Sequence, residues 1–248
     1  YRKFQKPFTM AFISVVGGIP AVVFNRPTRG VKSFILVLIP SLFLVLATLC
    51  TYVAVVRGTP SVCFLVSQIA PIIAIDTFPP KNRMTIFLLL FSVIFLGFAH
   101  LDEFKYFLLD TIGVIFKYVQ SFAEKKLSEV IGIPQARFVF PEAIWSTLTI
   151  GLIILPLAYG IPGSDVSSIY GGSVENFADS LLMVFKTPLI AIGFFTIPVV
   201  GFANMSINAL IDLPDDSLPC LLIRFITVVG MWLCLLLTGG AYTTFSIV

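Results

Sequence analysis

The chain has 248 residues, 58% hydrophobic and only 12% charged, with a net charge of +3 and a mean hydropathy of +1.02. A soluble domain is nearer half apolar and a quarter charged, so water alone cannot solvate this composition and lipid must cover part of it. The small positive balance, with no basic run interleaved with aromatics, argues against a nucleic-acid partner.

A basic start, Arg2, Lys3 and Lys6, precedes the first apolar run, which opens at Pro7. A start without Met admits either a removed leader or an incomplete N-terminus, and the run itself is not a secretion signal because similar runs follow it. Crossing a hydrocarbon core of ~30 Å takes ~20 apolar residues, and ~17 at the least. Eight segments meet that length: 7–25, 33–56, 60–76, 83–99, 104–122, 139–160, 188–211 and 217–238. Turn-forming or polar separators divide them, among them Asn25-Arg26-Pro27-Thr28-Arg29-Gly30, Arg57-Gly58-Thr59-Pro60, Phe78-Pro79-Pro80-Lys81-Asn82 and Leu213-Pro214-Asp215-Asp216. With no alternation of period two, the segments read as helices and not as barrel strands. The expected fold is an all-α, multi-pass transmembrane bundle.

Pro40, Pro71, Pro156, Pro198 and Pro219 fall inside spans. Membrane bundles accept such prolines because neighbours satisfy the freed backbone groups, so they mark either kinks around an interior space or simple packing kinks. Cys50, Cys63, Cys220 and Cys234 lie in apolar runs with no CxxC spacing and read as small lipid-facing or packing residues. His100, beside Leu101-Asp102-Glu103 at the end of a run, reads as solvated.

The fifth segment carries the chemistry. Asp110, Lys117, Gln120 or Ser121, and Glu124 recur at helical spacing on a helix otherwise made of Phe, Leu, Ile and Val. Charge inside a membrane costs ~2.5–3.5 kcal/mol per group, so the stripe reads as the lining of a hydrated cavity. Against this stands the bland alternative that Lys117 and Glu124 snorkel to the interface. Asp110 and Lys117 lie two turns apart, ~10.5 Å along the axis, too far for a direct ion pair. Arg224 in the last span either binds an anion or pairs with Asp110.

The longest connection, 161–187, carries an apolar stripe of Val174, Phe177, Leu181, Leu182 and Phe185. It predicts an interfacial helix near 174–186, with Ser173 as its N-cap and Glu175 and Asp179 on the early polar side. Assigned to alternate sides of the membrane, the loop cations divide eight (Arg26, Arg29, Lys32, Lys81, Arg83, Lys125, Lys126, Arg137) against six (Arg2, Lys3, Lys6, Arg57, Lys105, Lys186). The excess places the 26–32 loop in the cytosol or its organellar equivalent. No nucleophile elbow, phosphate loop or metal-spaced His or Cys set is present, so neither an enzyme nor a cofactor is expected.

Gln120-Ser-Phe-Ala-Glu-Lys-Lys-Leu127, then Ile133-Pro134-Gln-Ala-Arg137 and Glu142, resembles the middle of the drug/metabolite transporter superfamily. The likeness is greatest to the F branch of the solute carrier 35, nucleotide-sugar-transporter-like family. Pro40, Leu42, Ala47, Thr48, Tyr52, Ser61, the stretch 176–185, Pro188-Leu189-Ile190-Ala191 and Thr227-Val228-Val229 follow in the family's order, though only residues 118–192 are specific. The resemblance implies ten helices in two inverted five-helix repeats, of which this chain holds helices two to nine. The half-repeats would be 7–99 and 104–238, with substrate bound near the midplane between them.

Several positions depart from that family. Leu44 stands where an Asp is usual, and Phe64, Ser67 and Gln68 stand in place of a Gln-x-x-Arg-Gly set. An Arg-Asp-Arg set falls on Pro219 or Cys220, Ile223 or Arg224, and Ile226 or Thr227. Two functions follow. One is an alternating-access carrier of a small polar or anionic metabolite, its cavity lined by Gln68, Asp110, Lys117, Gln120, Glu124 and Arg224. The other is a transport-inactive accessory subunit, held among other membrane subunits. The resemblance implies a eukaryotic endomembrane or organellar membrane, and the basic start without Met also admits a processed protein of the mitochondrial inner membrane.

Overall fold

The computed structural model describes residues 6–20, 30–58, 104–165, 172–188, 191–192 and 195–199. Segments 60–76, 83–99 and 217–238, most of 188–211, and with them His100, Gln68 and Arg224, lie outside the described residues. Helix accounts for 84% of what is described. The elements are α1 (Pro7–Val16), α2 (Val31–Arg57), α3 (Phe104–Ile131), α4 (Val139–Gly160) and α5 (Phe177–Lys186).

Of the first span predicted over 7–25, residues 7–20 are described, and the α-helix among them is Pro7–Val16. Gly17-Gly18 turns the chain, and Pro20 has no N–H to offer the Val16 carbonyl. Gly17 is also a point of close approach, since a Cβ there would lie 2.0 Å from the Pro198 carbonyl oxygen.

α2 and α4 are the two described helices long and apolar enough to cross a membrane. A proline distorts each. Pro40 cannot donate to the Leu36 carbonyl, and α2 divides there into Val31–Leu36 and Leu38–Arg57 around Val37. Pro156 leaves the Leu152 carbonyl without its helical donor, and Ile150–Ile154 winds as a π turn just ahead of it. α3 continues beyond the expected 104–122 to Ile131, and Gly132 ends it at φ 70° with its N–H bonded to the Ser128 carbonyl.

α2 packs along α3 and also touches α1 and α4. Ala11 and Val15 of α1, Val45 of α2, and Ile150 and Leu155 of α4 form a buried core, flanked by Phe8, Phe12, Leu49, Tyr52, Ile154 and Phe177. Phe12 meets Phe177 edge to face with ring centres 5.9 Å apart. Trp145 fixes α4 to the start of α2, donating from Nε1 to the Phe34 carbonyl at 2.8 Å while its ring stacks obliquely on Phe34. The α2–α3 crossing is close because Gly113 faces Ala47, Cys50 and Thr51, where a Cβ would come within 3.1 Å of the Cys50 Cβ.

Polar groups are buried and large apolar ones exposed at several places on the helices. α3 buries Asp110, Gln120 and Glu124 while exposing Phe104, Leu108, Ile112, Ile115 and Phe122. α2 exposes Ile35, Ile39, Leu42 and Leu46 at helical spacing, and α4 exposes Leu148, Leu152 and Leu157. Only 33% of the apolar window of α2 and 28% of that of α4 is buried, whereas the core helix of a soluble protein would be mostly covered.

Within the 161–187 connection, Pro162–Asp165 bridges back to Ser173 before α5 begins. The predicted helix forms over Phe177–Lys186, but its N-cap is Asn176 and not Ser173. The Asn176 side chain accepts from the Ala178 and Asp179 N–H groups at 3.1 and 3.3 Å. Ser173 is instead buried in the bridge, where its backbone is held and its hydroxyl has no partner. Glu175 leaves the helix face altogether and reaches α1.

Candidate functional site

The stripe on α3 separates into two places. Lys117, Gln120 and Glu124, three and four residues apart, lie on one face and hydrogen-bond in sequence. Lys117 Nζ donates to Gln120 Oε1 at 2.7 Å, and Gln120 Nε2 donates to Glu124 Oε1. The same amide donates to Glu142 Oε2 at 3.2 Å, which joins α3 to the first turn of α4. Lys117 has both carboxylates as charge neighbours, and Glu124 and Glu142 are like-charge neighbours of each other. Gln120, Glu124 and Glu142 are buried and Lys117 is half-buried. Glu124 therefore points into the bundle. The second oxygen of Glu142, Oε1, is buried with no hydrogen-bond partner.

Asp110 lies elsewhere, facing Cys50 and Thr51 of α2. Its carboxylate is fully buried, and neither oxygen has a partner in hydrogen-bonding geometry, although Thr51 is a polar neighbour. The expected pairing with Arg224 and the expected place of Gln68 lie outside the described residues.

Glu142 was not among the expected lining residues. Its signal was available, since it is the one acid within the 139–160 run. A single acid opening an apolar helix also has an ordinary reading, as a favourable charge at the helix N-terminus, and that reading hides the contact with Gln120.

A second polar cluster ties the start of α1 to the 161–187 connection. Glu175 accepts from the Phe8 N–H at 2.8 Å, the Thr9 N–H at 2.6 Å and the Thr9 hydroxyl at 2.5 Å. It thereby supplies the cap that Lys6, at the N-cap position, cannot give. Lys6 pairs with Asp165 and, at 3.1 Å, with Asp179. Burial raises the Glu175 carboxyl above its usual range, while the Thr9 hydroxyl, the two N–H groups and the Lys6 charge draw it partway back. The sequence hint was a helix opening on Lys-Pro with no capping side chain, which requires an acceptor from elsewhere.

Among the described residues, no group of three or more His, Cys, Asp and Glu stands close enough to hold a metal ion. The Lys117–Glu142 cluster is a buried chain of hydrogen-bond donors and acceptors that joins α3 to α4. Comparison with family models, curated proteins and solved structures finds no match to this chain.

Proposed function

We propose that this chain is a polytopic membrane carrier of the drug/metabolite transporter kind, moving a small polar solute past the Lys117–Gln120–Glu124–Glu142 cluster. The observation that carries the reading is this set of charged and amide groups buried between α3 and α4, on helices whose outer faces are Leu, Ile and Phe. Buried charge of this kind is costly unless it serves a polar guest or an unusually well-satisfied network. The network here is incomplete, because Glu142 Oε1 has no donor. The apolar outer faces of α2, α3 and α4 support lipid as the surrounding phase. Helix α5, with Leu182 and Phe185 exposed, suits the boundary between lipid and water. An endomembrane or organellar membrane is the compartment that goes with this reading.

Uptake into proteoliposomes, screened across nucleotide sugars, small organic anions and small organic cations, tests it. Saturable flux of at least one solute is expected. Folded, reconstituted protein that moves none of them refutes the carrier.

One observation favours a second reading, a transport-inactive subunit covered by other membrane proteins. Leu44, where the family resemblance implies an Asp, is a buried apolar residue on α2. Isolation in gentle detergent as a monomer without partners would count against it.

A further inference from the structure

The described half of the Lys117 site is rich in acceptors. Glu124 and Glu142 also hydrogen-bond to each other, so the pair holds a proton when no guest is bound; once that proton leaves, two carboxylates face the single positive charge of Lys117. Of the three N–H groups of that ammonium, one donates to Gln120 Oε1 at 2.7 Å. Both hydrogens of the Gln120 amide are directed to carboxylates, one to Glu124 and one to Glu142. Glu142 Oε1 remains, 96% buried by its residue and without a donor. The N-terminus of α4 offsets part of the Glu142 charge but sends no N–H to that oxygen. Two turns earlier on α3, Asp110 adds another buried carboxylate with both oxygens unpartnered.

An anionic guest would enter this field against two carboxylates, with the donors of Gln120 spoken for. A guest carrying positive charge and N–H groups meets both demands, neutralising the surplus charge and donating to Glu142 Oε1. A metal ion finds only two carboxylates there, with no third His, Cys, Asp or Glu beside them among the described residues. We infer that the Lys117–Gln120–Glu124–Glu142 site takes an organic ammonium ion and discriminates against anions of the same shape. This assignment deepens the carrier reading and rests on it.

The test uses two probes of nearly equal size and opposite charge, tritiated phenethylammonium and 3-phenylpropanoate, on the full chain in nanodiscs at neutral pH. Saturable binding is expected for phenethylammonium and none for 3-phenylpropanoate. Glu142→Gln should weaken phenethylammonium binding about tenfold or more, the consequence of losing one charged hydrogen bond. Lys117→Gln should strengthen it, because the substitution removes the competing positive charge while keeping a polar side chain. A purely structural role for Lys117 gives weaker binding in that variant, so the sign of the change decides even if Glu142→Gln folds poorly. Preference for 3-phenylpropanoate, no phenethylammonium binding to folded protein, or weakened binding in Lys117→Gln overturns the inference. Flux of both probes in proteoliposomes separates it from the carrier reading. Protein that moves the carboxylate and not the ammonium keeps the carrier and loses the cation. Protein that binds the ammonium and moves nothing keeps the cation and loses the carrier.

Discussion

Replacing Glu175 by Ala removes the acceptor for three donors at the start of α1. The Thr9 hydroxyl keeps a partner, since Ser180 Oγ lies 3.2 Å away and can accept its hydrogen once Glu175 is gone. The Phe8 and Thr9 N–H groups do not, because they sit in the first turn and have no intrahelical acceptor. A buried donor left unsatisfied costs ~1–3 kcal/mol, so two of them cost about 2–6 kcal/mol, and we expect a loss near 4 kcal/mol. Glu175→Gln keeps one oxygen as acceptor but turns an NH2 group toward an N–H, and should lose about 2 kcal/mol. Reversible unfolding in mixed micelles, followed by helical circular dichroism as the denaturing detergent fraction rises, gives both values. Glu175→Ala within about 1 kcal/mol of the native protein would show that the cap seen from the connection does not hold α1.

The same carboxyl gives a pH dependence. Its value is raised above the ordinary 4.5 in the folded chain, so its contribution to stability is complete below pH 4.5 and is lost as pH rises through the folded value. Glu175→Gln should therefore have a flatter profile of melting temperature against pH on the acid side of neutrality, and an unchanged profile contradicts the assignment. Gly113→Val drives a branched side chain into Cys50 and Thr51 at the α2–α3 crossing and should cost about 1–3 kcal/mol in the same unfolding assay. Trp145→Phe keeps the ring stack on Phe34 but loses the Nε1 bond, for a loss of about 1 kcal/mol. Glu129→Gln should leave the melting temperature unchanged, because the Lys126–Glu129 pair is exposed and screened.

The helices α2, α3 and α4 were legible as long, mostly apolar runs bounded by polar or turn-forming separators, and α2 and α4 have the length and apolarity to cross a membrane. Boundaries were less so. Polar residues from Glu124 to Glu129 mask the end of α3, since hydropathy reports where a helix leaves lipid and not where its hydrogen bonds stop. The polar stripe on α3 was legible from helical spacing, yet its division was not. Spacing places Asp110 and Lys117 on one face, while the neighbour differs along the helix: α2 lies beside Asp110 and the start of α4 beside Gln120. Glu142 and Glu175 act at residues 22 and 166 positions away in sequence, Gln120 and Thr9, and no local pattern encodes such contacts. The misplaced cap at Ser173 has a local cause. Ser173 and Asn176 are both good caps, and the bridge to Pro162 and Asp165 holds the first in extended backbone, leaving Asn176 to open the helix.

Water-borne access to Gln120 from each face of the membrane tests the carrier account most directly, because it needs no knowledge of the solute. With the native cysteines replaced, Gln120→Cys in oriented vesicles is exposed to a membrane-impermeant thiol reagent from one side and then, in separate vesicles, from the other. A carrier that alternates its opening past the Lys117–Glu142 cluster predicts labelling from both sides, slowed when a bound solute fills the site. Labelling from neither side, in protein whose helical spectrum is intact, would contradict it and leave the cluster as a sealed structural contact between α3 and α4.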